Sequence, residues 1–233
     1  MERLDKAFSS CKLYSRSEIT KIIKQKRVSV NGVVINKPEF KVDVTVDKIL
    51  VDGKEVTFKK YAYIMLNKPY GVVSATEDGN DRTVIDVLPT EYKREGLFPV
   101  GRLDKDTVGL VILTDDGLSA HKRLAPKTHA EKVYYFETAD EVSDVVAREI
   151  EKGVLLKDGY LTKPCKVKLL SKTSGEIALT EGKYHEIKRI FGAKGNRITY
   201  LKRIEFGGIK LDENLSEGEC RYLTPLEEGL FTE

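Results

Sequence analysis

The feature that most constrains the fold is an acidic loop that runs directly into an apolar segment, within residues 101–117. Asp104 lies between Gly101 and Gly109, and residues 108–113 form an apolar run of the β type. A short apolar run bounded by turn residues is typical of a buried strand. A carboxylate on a short loop anchored to such a strand is well placed to act as a nucleophile or a base.

Two other interpretations of this loop follow from the residues alone. Asp104 could be an ordinary turn residue, because aspartate is a favoured turn former. The spacing Asp104-x-Asp106-x-x-Gly109 also partly matches a calcium-binding EF-hand loop. We exclude the calcium site, because Val108 occupies one of its ligand positions and Pro99 lies where a helix should enter.

The N-terminal segment predicts a compact helical unit followed by a hairpin. Ser15 and Glu18 have the spacing of a capping box, which predicts the start of a helix. An apolar stripe at helical spacing follows, formed by Ile19, Ile22 and Ile23. Residues 28–35 then alternate in hydrophobicity and break at Asn31-Gly32, a strong signal for a two-residue hairpin turn.

Net charge is unevenly distributed along the chain. The 233 residues carry a net charge of +3. Residues 1–60 hold 14 basic and 8 acidic residues, a net charge of +6, so the remainder carries −3. This split predicts a small module that binds an anion such as nucleic acid, joined to a nearly neutral body. An ordinary solvated lysine-rich surface would give the same count, and charge alone does not separate the two interpretations.

Beyond a linker at residues 52–60, helices and strands are mixed without a regular βαβ rhythm. Strands are predicted at 61–66, 108–113 and 132–138, with further short strands within 165–181 and 204–223. Helices are predicted at 118–124 and 140–152. This order favours an α+β fold over a doubly wound sheet.

Composition argues against several classes of protein. A hydrophobic share of 40% with 33% charged residues is typical of a globular protein. No apolar run approaches the ~20 residues that a membrane span needs, and residues 1–5 do not resemble a secretion signal, so we expect a cytoplasmic protein without a membrane partner. The three widely separated cysteines argue for a reducing compartment. His121, His129 and His185 lack metal-ligand spacing, so no metal site is expected.

Four stretches of the chain beyond the linker carry distinctive motifs. The densest runs from Gly101-Arg102-Leu103-Asp104 to Gly117. The others are Asn67-Lys68-Pro69-Tyr70-Gly71, Lys132-Val133-Tyr134 and Glu181-Gly182-Lys183-Tyr184-His185-Glu186-Ile187-Lys188-Arg189. In this order they resemble the motifs of the RNA pseudouridine synthases, in particular the small-subunit rRNA pseudouridine synthase (RsuA) family. The N-terminal segment contains Arg3-Leu4-Asp5-Lys6, Ser15-Arg16 and Arg27-Val28-Ser29-Val30-Asn31-Gly32, and it is similar to an S4 RNA-binding domain. The two resemblances together cover nearly the whole chain.

The resemblance implies an S4-like RNA-binding domain at residues 1–58 and a pseudouridine synthase catalytic domain at residues 61–233. The catalytic domain would have a mixed, mainly antiparallel sheet and a central cleft. It would isomerise a uridine within RNA to pseudouridine, without cofactor or metal. Asp104 would be the nucleophile and Tyr134 would stack on the uracil. Lys188 would keep the carboxylate charged in a closed pocket, with Arg189 as the alternative cation.

The resemblance also implies contacts with RNA from both domains. In the catalytic domain the contact residues would be Arg102, Lys132, Arg189 and Arg203. In the S4-like domain they would be Arg3, Lys6, Arg16, Arg27 and Asn31. The expected partner is ribosomal RNA, either 16S rRNA or a small-subunit assembly intermediate, with uridine 516 as the favoured target and no obligate protein partner.

Two positions depart from the family pattern. Glu186 stands where the family usually has Gln, so its carboxylate would add repulsion near Asp104 or pair with a neighbouring lysine. Lys12 stands where S4 domains often carry Gly, which affects the geometry of that loop.

Three alternative functions remain to be weighed. The target could lie in large-subunit (23S) rRNA, or the chain could be a non-catalytic RNA-binding or ribosome-assembly factor on the same scaffold. A glycosidase that pairs Asp104 with Asp115 or Asp116 is disfavoured. The strand at 108–113 separates these acids by more than the ~5–9.5 Å that such a pair needs.

Overall fold

The computed structural model describes residues 1–56, 58–125 and 130–233, so His129, considered above as a metal ligand, lies outside the described residues. The chain divides into two compact units. Unit 1 comprises Met1–Ala62 with Arg94–Gly96, and unit 2 comprises Tyr63–Lys93 with Leu97–Glu233.

Unit 1 combines two-turn helices with short strands. In chain order its elements are β1 (Glu2–Arg3), α1 (Leu4–Ser10), α2 (Arg16–Lys24), β2 (Val28–Val30), β3 (Val33–Ile35), β4 (Lys41–Val42), β5 (Ile49–Val51) and β6 (Lys54–Glu55). The order β3-β2-β5-β6 forms an antiparallel sheet, and β1 pairs with β4. Apolar side chains of both helices and of the sheet meet in one core.

The start of α2 has the capping box that the sequence predicts. The Ser15 hydroxyl accepts from the Glu18 amide at 3.3 Å, and the Ser15 amide donates to Glu18 Oε2 at 2.9 Å. Ile19 and Ile23 are fully buried, and Ile22 is partly buried against the same core. The predicted apolar stripe is therefore the face by which α2 packs.

Backbone conformation explains two other features of unit 1. Asn31 and Gly32, which join β2 to β3, have φ of 50° and 83°. Positive φ at both central residues is what a type I′ hairpin turn requires, and the predicted hairpin is confirmed. Lys12 has φ of 54°. This left-handed conformation is one that glycine adopts without strain, so the loop at Lys12 keeps a glycine-like geometry.

Unit 2 is built on one large sheet. Its elements in chain order are β7 (Tyr63–Lys68), a 3₁₀ turn (Thr90–Tyr92), β8 (Phe98–Pro99), β9 (Val108–Thr114), α3 (Gly117–Leu124), β10 (Lys132–Thr138), α4 (Asp144–Glu151), β11 (Lys166–Leu169), β12 (Ser174–Leu179), α5 (Glu186–Ala193), β13 (Ile198–Phe206), β14 (Ile209–Lys210), β15 (Cys220–Tyr222) and α6 (Pro225–Thr232). Within the described ranges, no helix combines the length and apolar composition that crossing a membrane requires.

The strand order in this sheet is β11-β12-β10-β13-β9-β7-β15, with β14 beside β13 and β8 beside β9. The pairs described here are antiparallel except for β9 and β13, which run parallel. The α+β class and the mixed, mainly antiparallel sheet are therefore confirmed.

The central strands extend beyond their predicted limits. The strand expected at 61–66 runs from Tyr63 to Lys68, because β7 pairs with β9 as far as Gly109. Strand β13 begins at Ile198, before the predicted start at 204, because β10 pairs with it along its length. The predicted helix at 140–152 begins only at Asp144, where the Ser143 hydroxyl caps it by accepting from the Val146 amide at 3.3 Å.

Strands β9 and β13 approach each other too closely for a side chain at Gly109. A Cβ atom there would lie 2.3 Å from the Arg203 carbonyl oxygen, and the φ of Gly109 is +101°. Only glycine satisfies both conditions without strain. This close junction fixes the N-terminal end of β9, and with it the loop that carries Asp104.

Candidate active site

Asp104 lies on the loop between β8 and β9, with its side chain 28% exposed. The Ser74 hydroxyl anchors this loop, since it donates to the Leu103 carbonyl at 3.1 Å and accepts from the Leu103 amide at 3.0 Å. The Thr107 amide donates to the Asp104 carbonyl at 3.1 Å and closes a turn. Asp104 is thus held on a constrained backbone while its carboxylate stays accessible.

A buried lysine supports the same loop from within the fold. Lys68, at the end of β7, is fully buried, and its ammonium donates to the carbonyls of Pro69, Lys105 and Thr107 at 3.1, 3.3 and 2.7 Å. Burial lowers the pKa of Lys68 to about 8, while the nearby Asp106 and Asp104 oppose that shift. The sequence analysis does not predict that Lys68 supports this loop. Its position between an apolar strand and Pro69 is the sequence feature that could have indicated it.

Lys188 supplies the cation that contacts Asp104. Its Nζ lies 3.0 Å from Asp104 Oδ2 and 2.5 Å from Asp106 Oδ1. Burial favours the neutral amine, but the hydrogen bonds to Asp106 and Asp104 outweigh it and raise the pKa of Lys188. Burial likewise opposes the charged form of Asp106, and the bond from Lys188 lowers its pKa. Lys188 and Asp106 therefore both stay charged at neutral pH.

Arg189 faces elsewhere and does not contact Asp104. Its guanidinium pairs with Asp158 and donates from Nη1 to the Tyr184 carbonyl at 3.3 Å. Successive residues of a helix point about 100° apart, so Lys188 and Arg189 on α5 cannot serve the same partner. Of the two candidate cations, Lys188 is therefore the one that contacts Asp104.

His185 approaches Asp104 from the other side. It precedes α5 with φ of 49°, and its Nε2 lies 3.5 Å from Asp104 Oδ1. Its ring stacks on that of Tyr184, with centroids 3.9 Å apart and planes 16° from parallel. The sequence predicts neither His185 nor Asp106 as a site residue, although both lie in the motifs that carry Lys188 and Asp104.

Tyr134 lines the same pocket from β10. Its side chain is 9% exposed and forms one wall of a cavity of about 80 Å³. The lining of this cavity includes Arg102, Asp104, Thr107, Leu179, His185, Ile187, Lys188 and Leu201. The volume corresponds to two or three water molecules, at about 30 Å³ each. A uracil ring therefore needs the neighbouring cleft, which shares Arg102 and Asp104 with this cavity and measures about 790 Å³.

Glu186 is buried beside the pocket instead of pairing with a lysine side chain. It is 4% exposed, its Oε2 accepts from the Lys183 amide at 2.8 Å, and its Oε1 has no hydrogen-bond partner among the residues that the structure describes. Burial, and secondarily the neighbouring Glu181, raises the pKa of Glu186 to about 7. Glu181 accepts hydrogen bonds from the Tyr160 hydroxyl at 2.7 Å and from the Lys163 amide at 2.8 Å. A carboxyl whose burial raises its pKa toward neutral pH therefore lies in the pocket wall.

The predicted RNA contacts of the catalytic domain fall into different environments. Arg102 is exposed and lines both the small cavity and the larger cleft. Lys132 is half-buried, donates to the Ala130 carbonyl at 3.2 Å and lies over the Phe206 ring. Burial, and secondarily Arg203, lowers the pKa of Lys132.

The surface position expected for Arg203 is wrong. The side chain is 1% exposed, its Nε donates to the Leu110 carbonyl at 2.8 Å, and its guanidinium lies over the Phe206 ring. Strand alternation explains this, because Arg203 lies on the same face of β13 as the buried Leu201. Arg203 therefore connects β13 to β9 inside the sheet and cannot contact RNA there.

Most of the predicted RNA contacts of unit 1 are engaged with carboxylates. Arg3 and Arg16 both donate to the buried Asp5, Arg27 donates through Nε and Nη2 to Asp52, and the Asn31 amide donates to Asp47 at 2.8 Å. Lys6 is exposed. These pairs hold the loops of unit 1 together.

Asp116, weighed above as a glycosidase partner, has a structural role. It follows β9 at the end opposite Asp104, where its Oδ1 accepts from the amides of Leu118 and Ser119 and caps α3. Its Oδ2 accepts from the Tyr63 hydroxyl at 2.7 Å. At about 3.3 Å per residue, the seven-residue β9 places Asp116 too far from Asp104 for a carboxylate pair.

Sequence comparison agrees with this combination of fold and pocket. Residues 62–193 match the RNA pseudouridylate synthase family, and residues 2–47 match the S4 domain family. The chain belongs to the RNA pseudouridylate synthase family, whose members isomerise uridine to pseudouridine.

Its relatives are similar over almost their whole length. An uncharacterised RNA pseudouridine synthase of Bacillus subtilis is 40% identical, covering 99% of this chain and 98% of that protein. The ribosomal small subunit pseudouridine synthase A of Haemophilus influenzae is 38% identical, covering 97% of each chain. A crystal structure of a pseudouridylate synthase superposes with a TM-score of 0.70 at 36% identity, covering 99% of this chain and 100% of that one. The predicted family is confirmed.

Proposed function

We propose that this enzyme converts a uridine of ribosomal RNA to pseudouridine, with Asp104 as the nucleophile. The observation that carries the proposal is the contact between Asp104 and Lys188 at the pocket that Tyr134 lines. A carboxylate that is 28% exposed stays reachable, and an ammonium at 3.0 Å offsets its negative charge when substrate excludes water.

The reaction is an isomerisation, so every atom of the uridine is retained. The carboxylate of Asp104 attacks the sugar or the uracil ring, and the bond between N1 and C1′ breaks. The uracil turns while it stays bound, a bond forms between C5 and C1′, and N1 gains a proton as C5 loses one. Release of the carboxylate regenerates Asp104, and the closed pocket protects the cleaved intermediate from hydrolysis.

Tyr134 and Lys188 have distinct roles in this scheme. Tyr134 lines the pocket, where its ring would provide a flat wall for the turning uracil and its hydroxyl would lie near the proton that C5 loses. Lys188 offsets the negative charge of Asp104 and Asp106. Because Lys188 is hydrogen-bonded to both carboxylates, it also fixes the direction from which Asp104 attacks.

The target base has to leave its helix before Asp104 can reach it. Extrusion of a base costs a few kcal/mol and is easiest for a nucleotide in a loop or an open assembly intermediate. Arg102 is exposed at the mouth of the pocket and can fill the vacated stack or hold a flanking phosphate. Basic residues of unit 1 would add affinity that depends on salt and carries little sequence information.

We assign the substrate to the small ribosomal subunit, with uridine 516 of 16S rRNA as the target and the cytoplasm as the site of action. Relatives from Haemophilus influenzae and Vibrio cholerae, each 38% identical to this chain, are named ribosomal small subunit pseudouridine synthase A. The matches extend over both units, which supports transfer of the substrate as well as the reaction.

The test is modification mapping with the purified protein. We would incubate it with 16S transcript, 23S transcript and small-subunit assembly intermediates, and locate pseudouridine by carbodiimide chemistry. Modification of 16S rRNA at uridine 516 is the expected result. Modification of 23S rRNA alone would overturn the substrate assignment, and no modification of any RNA would favour a non-catalytic assembly factor.

A further inference from the structure

The cleft beside the catalytic pocket has two exposed aromatic rings on its walls. Tyr70 is 71% exposed and Tyr184 is 76% exposed, and both line the cavity of about 790 Å³ that also contains Asp104. That volume lies within the range of about 300–1,000 Å³ typical of ligand sites. Large aromatic side chains that are exposed to solvent beside a functional pocket indicate a surface that a ligand covers.

Both tyrosines stand on a fixed backbone close to the site. The Gly71 amide donates to the Lys105 carbonyl at 2.9 Å, which ties the turn at Tyr70 to the loop of Asp104. The Tyr184 carbonyl accepts from Arg189 at 3.3 Å, and the adjoining Lys183 amide donates to Glu186. The backbone that carries both rings is therefore already ordered, and less entropy is lost when a ligand stacks on them.

Tyr184 already takes part in one stack. Its ring lies 3.9 Å from that of His185 with the planes nearly parallel, and His185 in turn contacts Asp104. One face of Tyr184 is thus occupied, while its exposure of 76% leaves the rest of the ring open to a third planar group. A nucleobase placed there would continue the stack away from Asp104.

The charges around the cleft suit the backbone of RNA. Arg102 and Lys183 are exposed on its walls, and Lys105 lies near Tyr70 in a pair with Asp81. Asp104 and Asp106 on the same wall carry two negative charges, of which Lys188 offsets one. A phosphate would therefore meet positive side chains at the mouth of the cleft.

We propose that this cleft, lined by Tyr70 and Tyr184, is a subsite for a nucleotide adjacent to the extruded uridine, whose base stacks on the open face of Tyr184. The inference rests on the proposed function, because it requires an RNA substrate with its target base at Asp104. Stacking of this kind tolerates any base, so the subsite holds the strand without reading its sequence. Phosphate contacts from Arg102 and Lys183 would fix the register of the strand.

The test is a double-mutant cycle that combines substitution of Tyr184 with removal of one base of the RNA. A 16S rRNA fragment containing uridine 516 would be prepared intact and with an abasic residue at either neighbouring position. Each RNA would be assayed with wild type, Tyr184→Ala and Tyr184→Phe, with Leu118→Ala as a control for loss of an exposed apolar side chain on α3. The thermal midpoint of each variant would be measured to confirm that it folds.

On intact RNA, Tyr184→Ala should raise KM about tenfold with kcat nearly unchanged, and Tyr184→Phe should behave like wild type. With one of the two abasic RNAs, wild type and Tyr184→Ala should become equivalent. An equal effect of Tyr184→Ala on intact and abasic RNA would overturn the subsite, as would a loss confined to kcat, which would make Tyr184 a positioning residue for His185. Inactive wild type on every RNA would instead contradict the proposed function.

Discussion

Lys188 Nζ lies 3.0 Å from Asp104 Oδ2, and the same ammonium contacts Asp106 Oδ1 at 2.5 Å. One cation therefore serves two carboxylates on a single loop. Because Lys188 reaches this loop from α5, the contact joins parts of the chain that are 84 residues apart. The site exists only when the sheet between them is assembled.

Removal of the Lys188 ammonium should leave Asp104 and Asp106 repelling each other. We expect Lys188→Met to lower kcat at least about 100-fold, which is the usual cost of losing one stabilising charge or donor at an active site. Lys194→Met is the matched control, because Lys194 directly follows the same helix and pairs with Glu149 away from the pocket. Single-turnover kinetics would measure the effect. Near wild-type kcat in Lys188→Met would show that Asp104 needs no cation.

The close approach of β9 and β13 predicts that any side chain at Gly109 destabilises the folded protein. Gly109→Ala would force a Cβ to within 2.3 Å of the Arg203 carbonyl at a φ of +101°, so we expect a loss of about 3 kcal/mol or more. Gly192→Ala within α5 meets no atom within 4 Å and should be neutral or slightly stabilising. Urea denaturation of both variants would measure the difference. Equal stability of the two would mean that the strands can separate at no cost.

The buried Glu186 predicts a dependence of stability on pH. In the unfolded chain this carboxyl ionises near its ordinary pKa of 4.5, whereas in the folded protein its pKa is about 7. The unfolded state therefore loses the proton first, and wild-type stability falls as pH rises from about 4.5 to about 7 because of this group. Glu181 and Lys132 are the charged groups that face it, and they act in opposite directions.

The glutamine side chain of Glu186→Gln cannot ionise, so the stability of this variant should not fall with rising pH because of this position. We expect its thermal midpoint to match wild type near pH 5 and to exceed it by several degrees at pH 8. The exposed Glu213→Gln serves as the control. Differential scanning calorimetry between pH 5 and pH 8 measures the difference in thermal midpoint between the variant and wild type. A difference that does not change with pH would rule out the buried neutral carboxyl.

Exposed lysines on α2 and just beyond it should supply salt-dependent affinity for RNA. Lys21, Lys24 and Lys26 are all exposed. If each contacts a phosphate, replacing all three with Gln should reduce the slope of log affinity against log salt by about two. Lys172→Gln in unit 2, where Lys172 pairs with Glu141, should leave the slope unchanged. Fluorescence anisotropy with a labelled 16S rRNA fragment measures these slopes. An unaltered slope in the triple variant would show that these three lysines do not contact phosphates of the RNA.

Features set by local sequence could be predicted well. The capping box at Ser15 and the hairpin at Asn31-Gly32 each depend on a few consecutive residues, and the structure has both. The apolar run of β9 likewise predicts a buried strand beneath Asp104. In contrast, the meeting of Asp104 with Lys188 was accessible only through the family resemblance.

Buried charges were the features that local patterns could not predict. Arg203 was expected to contact RNA, yet its Nε donates a hydrogen bond to the carbonyl of Leu110, 93 residues away. Lys68 is buried for a similar reason, because its acceptors lie on the loop of Thr107. A charged side chain is stable inside a protein only when such partners surround it, and those partners come from the tertiary fold.

The central claim is that Asp104 is the nucleophile, and Asp104→Asn tests it most directly. The amide is nearly isosteric with the carboxylate but is a poor nucleophile, so the variant should fold and bind 16S rRNA as wild type does. Under single-turnover conditions with excess enzyme, we predict no pseudouridine above background at the position that wild type modifies. Conversion by Asp104→Asn at the wild-type rate would contradict the account and remove Asp104 from the reaction.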